Sequence, residues 1–245
     1  MNATHAQQAR TTHAHQARNL FIGGLGLVGV LALALAIPPY SDAGQQRCFG
    51  KVPTIVRGAG SQQIVGTNGR DVIIAGGGND SVRSRQGKDY VCAGSGDDTV
   101  HAAEGPGYMN GGPGDDWLDG RRSQQGNVSI GDRGDDLIQA DGKIDGGPGN
   151  DEIESYGYYT VSGISPDATD GGGGRDRIAG GPNGEQLKGG HKNDTIRAGN
   201  GNDRLGGGSD NDKLYGENGN DNINGGSGTD VCDQGPGTGT LRACP

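Results

Sequence analysis

Thirteen aspartates of this 245-residue chain recur in one setting: Asp71, Asp80, Asp89, Asp98, Asp116, Asp136, Asp151, Asp176, Asp194, Asp203, Asp212, Asp221 and Asp230. Each follows a stretch of turn-forming residues and precedes an apolar or sulfur side chain by two places. A carboxylate repeated at a fixed interval is brought beside its own copies when the chain coils, and stacked like charges repel. A hard divalent cation removes that repulsion. Carboxylates together with backbone carbonyls freed by glycine turns are the oxygen ligands that Ca²⁺ takes, in a number and looseness that Mg²⁺ tolerates poorly.

The frame is clearest from residue 198 to residue 233, which divides into AGNGNDRLG, GGSDNDKLY, GENGNDNIN and GGSGTDVCD. Asp203, Asp212, Asp221 and Asp230 hold the sixth place, and Leu205, Leu214, Ile223 and Cys232 the eighth. A fixed period overrides local readings of helix or strand. The first five or six residues of each line are mostly Gly, Asn, Asp and Ser, which supply positive φ and tight turning. The last three alternate out, in, out, the period-two pattern of a very short strand. Turn plus strand repeated head to tail predicts a solenoid whose equivalent strands stack in parallel at about 4.8 Å. One apolar side chain in nine is too little for a self-sufficient core, so bound cations are required as well.

This pattern, GGxGxDxUx, resembles the hemolysin-type, or RTX, calcium-binding nonapeptide of secreted bacterial proteins. The resemblance implies an all-β fold, a right-handed parallel β-roll (β-solenoid) with two nonapeptides per coil and several Ca²⁺ ions held between turns of successive coils. It implies the thirteen aspartates as ligands, with turn carbonyls near Gly76, Gly78, Gly94, Gly96, Gly112, Gly114, Gly147, Gly149, Gly172, Gly174, Gly199, Gly201, Gly219, Gly226 and Gly228. About twenty such lines make roughly ten coils, about 50 Å long. The strongest sites are expected between residues 198 and 233, since Lys192, Asn183 and Glu185 depart from the pattern just before them.

Composition agrees. With 53 glycines, 4% aromatic and 30% hydrophobic residues, ordinary globular packing is disfavoured, and the choice lies between disorder and a ligand-dependent repeat. The net charge of -9 excludes a basic face for nucleic acid or anionic membrane and leaves cations as the natural partners.

Along the chain, residues 1–43 read as a secretory signal peptide: a polar, acid-free start, an apolar run from Leu20 to Ile37, then small residues. The same run of 18 residues is just long enough to span a membrane as an uncleaved N-terminal anchor. Cleavage leaves a secreted, extracellular chain with no membrane contact. Residues 44–65 keep the apolar beat (Ile55, Ile64) with Pro53 and Gln62 in place of Asp, and form an N-terminal cap. The beat continues through Ile73, Val82, Val91, Val100, Met109 and Leu118. Residues 66–154 are a first calcium-binding block, broken at Gly107 and by irregular spacers at 120–130 and 140–145. Residues 155–170 are a Tyr-rich insertion or degenerate coil. Its Tyr156, Tyr158 and Tyr159 either cover the apolar seam or present a patch for a surface glycan or protein. Residues 171–233 are a second calcium-binding block and 234–245 a C-terminal tail.

Four cysteines in an exported chain predict two disulfides. Of three connectivities, Cys48 with Cys92 and Cys232 with Cys244 is preferred, because each pair clips one end of the roll. No zinc CxxC spacing occurs. His101 and His191 belong to no nucleophile motif, the paired carboxylates and the Arg133-Gly134-Asp135 tripeptide are products of the repeat, and no stretch is left over for a catalytic domain, so no enzyme is expected. The reading is a secreted repeat protein that folds on binding calcium; the alternative is a surface adhesive or structural scaffold that calcium merely stiffens.

Overall fold

The computed structural model describes residues 46–102, 105, 107–121, 127–157 and 168–245. The predicted signal peptide or anchor, Tyr158 and Tyr159 lie outside these residues. Twenty-one strands follow one another in the described chain and alternate between two parallel sheets, one of eleven strands and one of ten. Each strand pairs with the strand two before it and the strand two after it. Ile73 lies beside Val91, and Leu205 beside Ile223, one full coil apart. A coil therefore takes two nine-residue lines, as the repeat implied, and the fold is an all-β solenoid of parallel sheets.

The core is made of two files of eighth-place side chains, one from each sheet, packed together as one cluster. Ile64, Ile73, Val82, Val91, Val100, Met109, Leu118, Ile138, Ile153, Ile178, Leu187, Ile196, Leu205, Leu214 and Ile223 are all 3% exposed or less. Each contributes about 1.5–3 kcal/mol by burial. Ala75, Ala93, Ala102, Ala140 and Ala198, at the first place of their lines, fill the seam between these larger side chains. Two seats are polar: Ser129 and Thr169 stand where the beat calls for an aliphatic residue, at 0% and 2% exposure.

Seven strands of the eleven-stranded sheet run six residues rather than three. Arg204–Ser209 and Asn222–Ser227 each run six residues, because the pairing continues into the glycines that open the next turn. The ten-stranded sheet has shorter strands of three to five residues, and Lys213–Tyr215 keeps the predicted three.

The irregular spacers do not interrupt the stack. Ladder bonds on either side of them span 20, 15 and 25 residues instead of 18, yet the strands that they join remain paired in register. All three length changes fall in connections that run from the ten-stranded sheet to the eleven-stranded one.

Both ends are clipped. Cys48 lies at disulfide distance from Cys92 and Cys232 from Cys244, the preferred connectivity. The first pair fastens the opening segment to the outer face of the larger sheet, where Phe49 meets the stacked rings of Tyr90 and Tyr108. At the other end Cys232 and Cys244 pack against the core.

Candidate metal centres

A sixth-place aspartate ends each turn and opens the following strand. Its side chain folds into the roll rather than toward solvent, because the strand that follows must put its next residue outside and the one after that inside. All thirteen predicted aspartates are buried. They form two files, one along each edge, rather than a single row, and this corrects the serial reading in which one row was broken once.

The first file holds nine aspartates without a gap: Asp80, Asp98, Asp116, Asp136, Asp151, Asp176, Asp194, Asp212 and Asp230. None is more than 4% exposed. The backbone N–H of each donates to Oδ1 of the next, at 2.6–2.9 Å from Asp80 through to Asp230. Gln62 N–H adds a further rung to Asp80. Oδ1 is thereby fully engaged. Oδ2 of all nine is buried and has no hydrogen-bond partner, a state that costs a charged oxygen several kcal/mol unless something compensates it.

The second file holds Asp71, Asp89, Asp203 and Asp221, with Glu185 seated above Asp203. Asp71 N–H donates to Asp89 Oδ1, Glu185 N–H to Asp203 and Asp203 N–H to Asp221. Asp203 and Asp221 again carry an unpartnered Oδ2. Asp71 differs: its Oδ2 accepts the Thr67 N–H at 2.6 Å and the Thr67 hydroxyl at 3.1 Å.

Glycine at the first place of a line shows what the lone oxygens face. A Cβ on Gly171 would come within 2.5 Å of Asp176 Oδ2 and 2.7 Å of the Gly189 carbonyl oxygen in the next coil. The same pairing of a lone carboxylate oxygen with a next-coil carbonyl recurs at Gly131, Gly146, Gly189 and Gly207. Two oxygens from successive coils thus converge on a space that only the missing side chain leaves open, a donor set suited to a hard cation. The predicted second- and fourth-place glycines lie in stacked files beside it. A Cβ on Gly94, Gly112, Gly172 or Gly226 would overlap the carbonyl oxygen of the coil before, and so would one on Gly96, Gly114, Gly174 or Gly219.

Among the described residues, no three His, Cys, Asp or Glu side chains converge as a metal group. The oxygens that do converge, a carboxylate Oδ2 and a next-coil backbone carbonyl as at Gly171, are of the class that Ca²⁺ takes.

Most of the buried carboxylates in the two files resist ionisation. Burial is the first cause throughout, reinforced by neighbouring carboxylates and opposed by the backbone ladder bond. Asp116 and Asp151 are pushed up to about 8, Asp136, Asp194 and Asp203 to about 7, and Asp98, Asp176 and Asp212 to about 6. A cation in the file would reverse the sign of these environments.

Two features escaped the sequence reading. Fifth-place residues form an outer ladder of opposite direction: Asp115 N–H donates back to Asp97 Oδ1 and Asp135 N–H back to Asp115 Oδ1. Asn127 occupies a ladder seat, its Oδ1 accepting the Gly107 N–H at 2.7 Å. It sits directly before the strand Val128–Ile130, as each aspartate sits before its strand, and aligning lines on their strands would have found it. Tyr156, of the Tyr-rich segment, donates its hydroxyl to Glu154 at 2.8 Å. His101 lies against Asp119 and His191 against Ser209.

The family model for the RTX calcium-binding nonapeptide repeat (4 copies) matches residues 57–91, 65–100, 93–122, 179–214 and 202–232. No curated protein matches the chain.

Proposed function

The chain is an RTX-type calcium-binding repeat protein, and from that premise we propose that it is a secreted protein whose roll sets outside the cell by binding several Ca²⁺ ions along its edges. One observation carries the reading: nine successive buried aspartates, each with Oδ1 bound to the neighbouring coil and Oδ2 unpartnered. A file of ionised carboxylates at coil spacing is unstable in the folded state without positive charge, and bound Ca²⁺ supplies that charge.

In this account the Asp Oδ1 atoms tie coil to coil, the Oδ2 atoms and glycine-turn carbonyls hold the ions, and the eighth-place side chains close the core once coils are stacked. Ion-binding free energy is then folding free energy. Calcium is abundant outside cells and scarce in the cytoplasm, so the chain crosses a membrane unfolded and folds beyond it. The two cysteine pairs support the oxidising destination. We assign no reaction to the protein: the paired carboxylates Asp97-Asp98, Asp115-Asp116 and Asp135-Asp136 are engaged in the two ladders. Limited proteolysis with and without chelator tests the proposal. Protection throughout residues 66–233 in calcium, lost on chelation, is expected; equal resistance in both conditions contradicts it.

A further inference from the structure

We infer that the two edges of the roll are unequal, one being a continuous calcium file from Asp80 to Asp230 and the other interrupted by metal-free seats at Gly107, Asn127 and Gly142. The inference rests on the proposed calcium binding and goes beyond it by saying where ions bind and where they do not.

On the first edge every turn from Gly111 to Asp116, Gly131 to Asp136, Gly146 to Asp151 and Gly171 to Asp176 keeps its six residues, although the coils that contain them differ in length. Asp116, Asp136, Asp151 and Asp176 remain linked by ladder bonds of 2.8–2.9 Å across separations of 20, 15 and 25 residues. Each keeps its unpartnered Oδ2. The ion-binding geometry is thus preserved through the coils where the opposite edge is least regular.

On that opposite edge the three corresponding seats before the strands Tyr108–Asn110, Val128–Ile130 and Lys143–Pro148 hold Gly107, Asn127 and Gly142. Asn127 makes the ladder bond that an aspartate would make, through Oδ1 to Gly107 N–H. Its second atom is an NH₂ group, 2% exposed as a residue and without a hydrogen-bond partner. An amide hydrogen carries partial positive charge and no lone pair, so where the first edge offers an anionic ligand this one offers repulsion. At Gly142 a side chain has no room: a Cβ would lie 2.5 Å from the Asn127 carbonyl oxygen and 2.8 Å from its backbone nitrogen. Backbone contact closes this rung. No carboxylate occupies these three seats themselves, so no stacked file of charge runs through them; the buried Asp141 adjoins Gly142 in the chain. Elsewhere on this edge Asp203 and Asp221 keep an unpartnered Oδ2.

The test is a crystal structure of the full chain grown in calcium, with anomalous density recorded where calcium scatters. The expected result is an unbroken string of peaks along Asp80 to Asp230 and, on the other edge, none beside Gly107, Asn127 or Gly142. A peak at any of those three overturns the inference while leaving calcium binding intact, whereas absence of peaks on both edges removes the proposed function with it. In solution, ions bound per chain are counted by equilibrium dialysis for Asp151→Asn and Asn127→Ser. Loss of at least one ion in the first and none in the second supports the inequality. Equal loss in both contradicts it, and the count for the unaltered chain is read even if a variant fails to fold.

Discussion

The backbone N–H of Asp136 donates to Oδ1 of Asp151 at 2.9 Å although only 15 residues separate them. Asp151 makes the same bond to Asp176 at the same distance across 25 residues. The coil is therefore defined by its aspartate ladder and paired strands, and its length varies in the connections that run from the ten-stranded sheet to the eleven-stranded one. Several measurable consequences follow from how Oδ1 and Oδ2 divide their roles.

Asp151→Asn keeps an acceptor for Asp136 N–H and removes the charge. In calcium it is expected to melt lower than the parent, because an ion ligand is gone. Asp151→Ala loses the ladder bond too, leaving a buried donor unmet at a cost of about 1–3 kcal/mol, and is expected to melt lower still. Paired thermal melts of the two variants in calcium check the order.

Proton and calcium compete for the same oxygens. For Asp116 and Asp151, pushed up to about 8, and Asp136, pushed up to about 7, the folded state binds protons more tightly than the unfolded chain with its ordinary value near 4. Their contribution to calcium-free stability is fully present below about pH 4 and is lost as pH rises through about 7 to 8. In chelator, more β-structure is thus expected at pH 5 than at pH 8. Calcium affinity runs the other way and rises with pH, since the ligands must be deprotonated. A flat or rising calcium-free profile between pH 5 and 8 would contradict the burial of these groups.

How far the sequence alone led depends on what a nine-residue count can resolve. The apolar beat located the core from Ile64 to Ile223, because each beat is a side chain that must face inward whichever coil it belongs to. The same count missed the two edges. Successive lines lie on opposite sides of a coil, so Gly107 reads as a break in one row when it is a seat in a second one. Asn127 was hidden because counting ran forward from Gly120 through a connection of unusual length. Ser129 and Thr169 were unexpected in the core; irregular coils tolerate them where a strict beat predicts Ile or Val. The outer ladder of Asp97, Asp115 and Asp135 was unreadable for another reason: a backbone N–H bond between coils has no signature in residue type beyond Asx itself.

Gly171 and Gly173 offer a matched pair of substitutions. Gly171→Ala places a methyl group against Asp176 Oδ2 and the Gly189 carbonyl, and is expected to destabilise the calcium form by about 1–3 kcal/mol, as overpacking does, while raising the calcium required. Gly173 has open space around its Cβ position, so Gly173→Ala is expected to change neither. Calcium-dependent melts of both separate a crowded ion cradle from a general intolerance of alanine.

Reduction should loosen the two ends unequally. Cys48 and Cys92 close a loop of 44 residues, and Cys232 and Cys244 one of 12. Chain entropy then assigns about 4 kcal/mol to the first and about 3 kcal/mol to the second. Denaturant melts of Cys48→Ser/Cys92→Ser and Cys232→Ser/Cys244→Ser in calcium measure the difference, with the N-terminal pair expected to cost more.

The most direct measurement of the central claim is far-UV circular dichroism of the chain from Gly44 onward, titrated with calcium from chelator upward at pH 8 and repeated with magnesium. The account predicts a cooperative gain of β-structure at about 0.1 to 1 mM calcium and no comparable change with magnesium. A β-sheet spectrum already complete in chelator, unchanged by calcium, would contradict it.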